Sequence, residues 1–291
     1  MISGIRSRRD RAARLERAVL LGPGAIYGVA FLLVPLGLVV FHAFMSPSRF
    51  GGVQGPATFD NVRRLGEPVY RSVILTSVTL SGAATFIALA IGYPAAYAIS
   101  RLPARWRTVA IVAVVLPFWT NLLIRMYAWI VLLNNQGLIN GVLKSLRITD
   151  DPVALMNNRP AIVLGFVYAY LPLMILPLYA SIERLDPQYT EAATNLGAGP
   201  FTRFRTVVLP LTMTGAVTGS LFVFIPSLGN FIVPELLGGA KTATLGTLAR
   251  DQYLKARDWP FGASVALLVL LMVVVIVGIQ GRLTRRYEGT P

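Results

Sequence analysis

Few side chains in this chain are equipped for covalent chemistry. There is no cysteine and only one histidine, His42, which excludes a disulfide framework and a conventional Cys/His metal site. The long apolar runs carry Ser and Thr but no acidic residue, so neither a nucleophile with its base nor a pair of carboxylates is available at that depth. His42, near the end of the first run, reads as an interfacial or pore-wall residue. Arg125 is the only charged residue well inside such a run. The stretch Gly238-Gly239-Ala240-Lys241-Thr242 has the residue types of a phosphate-binding loop, but it lacks the Gly-Lys-Thr ending and follows no strand. Catalysis has no candidate residues here, and attention moves to docking and passage.

Docking has a clear candidate in Leu185-Asp186-Pro187-Gln188-Tyr189-Thr190-Glu191-Ala192-Ala193-Thr194-Asn195-Leu196-Gly197. Asp186 suits a helix N-cap, Pro187 the first helical position and Gly197 the left-handed residue that ends it. These signals predict a helix of about ten residues. Tyr189, Ala192, Ala193 and Leu196 fall at i, i+3, i+4 and i+7 and share one face, while Gln188, Glu191 and Asn195 share another. The first face is mostly alanine, so it allows a close backbone approach to a surface shaped to receive it. Glu191 is read either as a solvated charge or as one that meets a basic residue of a partner. Gly199-Pro200 turns the chain into a second short helix.

The elements that must position this stretch are membrane helices. Of the 291 residues 55% are hydrophobic and 14% charged, with mean hydropathy +0.62, too apolar for a soluble chain in which about a quarter of residues are charged. A net charge of +14 would point to nucleic acid in a soluble chain, but here the basic residues lie mainly between apolar runs, and no nucleic-acid partner is expected. Residues 1–18 form a basic segment with six arginines, Arg6, Arg8, Arg9, Arg11, Arg14 and Arg17. The run Val19–Phe44 is too long for the core of a signal peptide and lacks a small-x-small cleavage site, so it reads as the first membrane helix. Further spans are expected at Ser72–Ser100, Val109–Leu133, Ala161–Ile182, Val207–Pro234 and Phe261–Gly281, each long enough for a hydrocarbon core that takes about 20 helical residues.

Six spans place both termini on one side, and the basic residues are densest in 1–17, 101–107, 182–206 and 282–291. The positive-inside rule therefore puts both termini and the 183–206 loop in the cytosol. The longer loops on the other side each contain a helical pattern: Leu138, Ile139, Val142, Leu143 and Leu146 in one, and Leu245–Ala256 in the other. The fourth span contains Pro172 and Pro177, and the fifth contains Pro210, Pro226, Gly229 and Pro234. Irregular backbone at membrane depth needs protein or a water-lined cavity to satisfy it, which makes Phe224-Ile225-Pro226-Ser227-Leu228-Gly229-Asn230 a candidate pathway wall or a kinked packing helix.

Glu191-Ala192-Ala193, three residues, Gly197, nine residues, then Val207-x-Leu209-Pro210 resembles the EAA signature of the integral-membrane subunits of binding-protein-dependent ABC importers. Val207 stands where isoleucine is commoner. The resemblance implies an all-α type I importer permease fold, with a common core over about 72–281 inside a membrane domain of 19–281 and a tail at 282–291. It also implies that Tyr189, Glu191, Ala192, Ala193, Leu196 and Gly197 couple the chain to a cytosolic ATPase. Three further stretches look like the spermidine/putrescine branch of the family: Leu116–Trp129, Ile225–Gly239 and Ala256–Ala263. Permeases for phosphonate, opine or amino-acid-like solutes share much of this pattern, and a secondary transporter is the remaining rival class.

The candidate pathway residues drawn from these stretches are Trp119, Asn121, Arg125, Tyr127, Ser227, Asn230 and Glu235. Arg125 either ties down broken backbone or lines the pathway, in the latter case paired with Glu235. With no Gly-x-x-x-x-Gly-Lys-Ser/Thr motif in the chain, the resemblance implies ATP and Mg on two separate ABC ATPase subunits. It further implies a periplasmic solute-binding protein, a second permease in a heterodimer, and a place in the bacterial inner membrane.

Overall fold

The computed structural model describes residues 3–48, 51–239 and 241–288, with side chains between 22 and 282, residue 25 apart. The basic side chains of segment 1–18 and Ala240 of the Gly238–Thr242 stretch therefore lie outside the described residues. In chain order the elements are α1 (Ser3–Ala43), a hairpin of β1 (Met45–Pro47) and β2 (Val53–Ala57), α2 (Asp60–Leu65), α3 (Pro68–Ser100), α4 (Ala104–Val115), a 3-10 turn (Leu116–Trp119), α5 (Leu122–Leu133), α6 (Leu138–Ser145) and α7 (Arg159–Glu183). They continue as α8 (Pro187–Asn195), α9 (Pro200–Arg203), a π turn (Phe204–Val208), α10 (Leu209–Leu211), α11 (Met213–Gly229), α12 (Ile232–Gly238), α13 (Leu245–Leu254) and α14 (Trp259–Glu288). The antiparallel β1–β2 hairpin is a small addition to the all-helical expectation.

The centre of the bundle is the trio α3, α7 and α11, and small residues make its packing close. Met174 of α7 lies between Gly92 of α3 and Gly219 of α11; a Cβ on either glycine would come within 2.8 Å of its side chain. Ala88, Tyr93, Ala96, Ile175, Leu178 and Val223 complete this core. A second core joins α5, α7 and α12 through Met126, Phe166, Val233 and Leu237. A third joins α13 and α14 to α3 through Leu245, Phe261 and Val265, with Tyr70 and Ile74 against them. By contrast α1 packs mainly against α14 and leaves Ile26, Phe31 and Phe41 exposed, as expected of a helix that meets lipid or another chain.

Two of the expected continuous spans are broken. The third divides into α4 and α5 around the turn at Leu116–Trp119, where Pro117 interrupts the ladder and Asn121 restarts it by accepting the Leu123 N–H at 2.8 Å. The fifth divides at two places. The segments 200–211 and 213–229 meet at 69°, and a further break at Asn230 separates α12. The freed polar groups at Asn230 are satisfied inside the protein: its Oδ1 accepts the Val233 N–H at 2.9 Å and its Nδ2 donates to the Tyr170 hydroxyl at 2.7 Å.

The end of the bundle opposite α8 is tied by long-range bonds. The Leu245 N–H donates to Ser77 Oγ at 2.7 Å, joining α13 to α3. Arg64 of α2 pairs with Asp258 at 2.8 Å and lies over the Phe261 ring. Asn61 and Ser264 both donate to the Ala43 carbonyl, fixing the end of α1 beside the start of α14. The loops between spans carry α6 and α13, close to the helical patterns read from the sequence.

Candidate coupling surface and solute pathway

The α8 helix forms as its sequence signals require. Asp186 Oδ1 accepts the Gln188 N–H at 2.9 Å, Pro187 occupies the first turn, and Gly197 stands at φ +82°. Ala198 N–H then donates back to the Ala193 carbonyl at 3.0 Å, a left-handed C-cap closure for which glycine is the favoured residue. Arg203 Nη1 donates to Thr194 Oγ1 at 2.9 Å and braces α9 against α8. On the resulting surface Tyr189 is 58% exposed and Leu196 88% exposed, with Ala192 and Glu191 also exposed and Ala193 half-buried. Sequence reasoning missed Phe201 of α9, 74% exposed beside them. Its signal was available: an aromatic side chain directly after Gly199-Pro200.

The surface has solid backing. The Arg107–Glu183 ion pair, 2.7 Å, links the start of α4 to the end of α7, and Arg107 also donates to the Ser100 carbonyl at 3.2 Å. A cavity of about 440 Å³ opens between Ser181, Arg184, Asp186 and Tyr189 on one side and Leu211, Gly215 and Thr218 on the other. The bend between α10 and α11 thus faces the root of α8, so a tilt of α8 has a direct route into the fifth span.

Among the described residues, the seven pathway candidates do not line a common cavity of those found. Trp119 is 81% exposed and Tyr127 and Asn121 are also on the surface. Ser227 is buried and spends its hydroxyl on the Val223 carbonyl of its own helix at 2.7 Å, so it faces no open space within the chain. Arg125 is 8% exposed, its guanidinium 5.9 Å from the Phe118 and Tyr168 ring centres, and its Nε has no hydrogen-bond partner among the described residues. The expected pairing of Arg125 with Glu235 is not found. Glu235 is held by Arg250 of α13, which also binds Asp251 at 2.6 Å, because the break at Asn230 turns α12 toward α13. Burial alone would raise the Asp251 carboxyl, but hydrogen bonds from Arg250 and Lys255 outweigh it and hold the group below the usual range.

Fold and surface together define a multi-helix membrane subunit with a short exposed helix at one end. Residues 88–289 match the family described as binding-protein-dependent transport system inner membrane component. The chain is 42% identical over 249 residues to the spermidine/putrescine transport system permease protein PotB of Haemophilus influenzae, covering 85% of this chain and 87% of the relative. It is 36% identical over 257 residues to PotB of Escherichia coli K12, covering 88% and 94%. Among solved structures, a bacterial ABC transporter that imports the acidic polysaccharide alginate superposes with TM-score 0.78 at 19% identity, over 97% of this chain and 99% of that one, a likeness of fold. This chain belongs to the binding-protein-dependent inner-membrane permease family and is a multi-pass inner-membrane transport subunit of the ABC importer class.

Proposed function

We propose that the chain is one of two permeases in an ATP-driven importer of polyamines such as spermidine and putrescine, with ATP and Mg bound by separate ATPase subunits. The observation that carries the coupling role is α8, whose exposed Tyr189, Leu196 and neighbouring Phe201 rest on a braced base beside the bent fifth span. Glu191, Ala192, Ala193 and Gly197 complete that face. The polyamine assignment is supported by similarity to spermidine/putrescine permeases over more than four fifths of the chain. Density of Arg and Lys in the short loops supports placing both termini and α8 in the cytosol.

The exposed pathway candidates suit a cationic solute. Trp119 and Tyr127 offer aromatic faces that attract an ammonium group; Asn121 lies on the same broken third span, and Asn230 and Glu235 lie at the broken end of the fifth. Their dispersal over one chain is expected of a half-wall completed by a second permease. Arg125 serves as a strut behind Phe118 and Tyr168, where the ring faces offset its charge and keep it from repelling the solute. The test is uptake of radiolabelled spermidine into proteoliposomes holding the full importer with its ATPase and periplasmic solute-binding protein. Saturable, ATP-dependent uptake insensitive to anionic competitors is expected; its absence overturns the polyamine reading.

A further inference from the structure

Two cavities run end to end along one stripe of α3. The first, about 450 Å³, is apolar and bounded by Leu89, Ala90, Tyr93 and Pro94 on α3, with Phe204 and Leu209 opposite. The second, about 240 Å³, contains Ser100, Arg101, Arg107 and the Glu183 carboxylate that pairs with Arg107, with Pro187 and Thr190 of α8 as its far wall. Tyr97 lines both. The residues 89/90, 93/94, 97 and 100/101 recur at three to four positions, so the cavities form one groove on a single helix face. From Leu89 to Arg101 the groove is about 18 Å long at 1.5 Å per residue, close to the roughly 15 Å depth of one leaflet's hydrocarbon.

Charge is placed at one end only. The Arg101 guanidinium donates to the Tyr97 hydroxyl at 2.8 Å and lies over its ring, and it has no carboxylate partner among the described residues. Arg107, held by Glu183, has a buried Nε with no hydrogen-bond partner among the described residues. Arg105 is also free of carboxylates among the described residues, and the adjoining Trp106 is exposed, a residue type enriched at membrane interfaces.

We propose that an anionic phospholipid occupies this groove, its phosphate at Arg101 and Arg107 and one acyl chain between α3 and the Phe204–Leu209 turn. The groove has the apolar length, the single basic end and the orientation that such a molecule requires, and anionic headgroups are attracted to basic residues at the membrane surface. Because Pro187 and Thr190 form the far wall, the headgroup steadies the root of α8. The binding claim does not depend on which solute the importer carries.

The test is native mass spectrometry of the intact importer released from mild detergent with phosphatidylglycerol or phosphatidylcholine supplied as probes. Wild type is expected to retain phosphatidylglycerol about fivefold over phosphatidylcholine, the factor one basic residue near an anionic surface provides. Arg101→Gln should bring the ratio close to one. Ala90→Trp, which fills the apolar part, should lower retention of both lipids, and the milder Ala90→Leu should do so in smaller degree if the larger variant fails to assemble. Arg147→Gln, on an exposed loop remote in sequence from the groove, should change neither. Equal retention of both lipids by wild type, or displacement of phosphatidylglycerol by glycerol phosphate lacking acyl chains, overturns the proposal. So does release of a second permease by Ala90→Trp with lipid retention unchanged, since the groove would then be covered by protein.

Discussion

At the α8 end of the bent fifth span, Tyr189, Leu196 and Phe201 stand uncovered on a braced scaffold, whereas at the other end α12 and α13 satisfy one another through Arg250, Glu235 and Asp251. The closeness of packing differs as well. Gly246 of α13 presses on the carbonyl oxygens of Gly229 and Asn230, each 2.6 Å from where a Cβ would stand. Gly197 in the α8 loop has open space around its own Cβ position. An end completed within the chain resists deformation, and an end with bare apolar groups takes its final shape from a partner. Under the proposed coupling role, force applied at α8 would enter a span whose far end is clamped, with the 69° bend between the two ends as the point free to move.

The largest expected effect comes from loosening the clamped end. Gly246→Val drives a β-branched side chain into two backbone carbonyls that cannot rotate aside, and the cost is about 3 kcal/mol or more. Thermal unfolding in detergent should show it, together with poor recovery from membranes. Gly82→Ala, at a helical glycine with nothing within 4 Å of the added Cβ, is the matched control and should be harmless. Equal stability of the two variants would mean that α13 does not clamp the break.

Next comes the open end. Ala193→Arg adds bulk and charge to the face proposed to dock in the ATPase, while leaving the fold intact because the site is only half-buried. Uptake should fall by about tenfold or more, a loss of at least ~1.4 kcal/mol in productive association, with ATP hydrolysis no longer stimulated by solute. Gly197→Val should act in the same direction, since φ of +82° strains a β-branched residue. Normal uptake by both variants removes the coupling role.

These two ends also differ in how much of them the sequence discloses. Asp186, Pro187 and Gly197 are local signals, each acting within a few residues, and the helix they predict is the one found. Long apolar runs likewise announce most of the spans. The break at Leu116–Asn121 was hidden because Pro117 sits in an uninterrupted apolar stretch, where hydropathy reads straight through a turn. Arg250 as the partner of Glu235 was hidden for another reason: it depends on the direction α12 takes after Asn230, a tertiary outcome set by the Tyr170 contact sixty residues away. The proximity of Gly246 to Gly229 is equally invisible in sequence order. The helix proposed for docking is legible because its signals are local, and the arrangement of the pathway candidates is not, because they lie on broken helices whose angles only packing decides.

Smaller effects follow from the ion pairs of the clamped end. Arg250→Gln leaves Glu235 and Asp251 without their shared partner, and as these carboxylates are partly exposed the loss is on the order of 1 kcal/mol. Hydrogen exchange should speed up in α12 and α13 but not in α8. The same clamp gives a pH response. The Asp251 carboxyl is depressed in the folded chain, so its contribution is full above the ordinary carboxylate pKa and is lost as pH falls through the lower folded value. Acidification below pH ~4 should therefore loosen α13 in wild type and have less effect in Asp251→Asn.

The smallest effect is expected at Glu191, the charged residue whose name gives the docking motif its first letter. Its side chain is exposed, and among the described residues it has no ion pair or hydrogen bond within this chain. An exposed charge without a partner contributes little to the fold, and substitutions at such positions stay within about 0.5 kcal/mol. Glu191→Gln should thus leave the unfolding temperature of the purified chain unchanged, in contrast to Gly246→Val, and leave α8 helical. Any effect must then appear only when the ATPase is present, as a change in the affinity between the two. A drop in stability of the chain alone would show that Glu191 is held internally, and the contrast between a self-completed end and an open one would fail at the motif's own first residue.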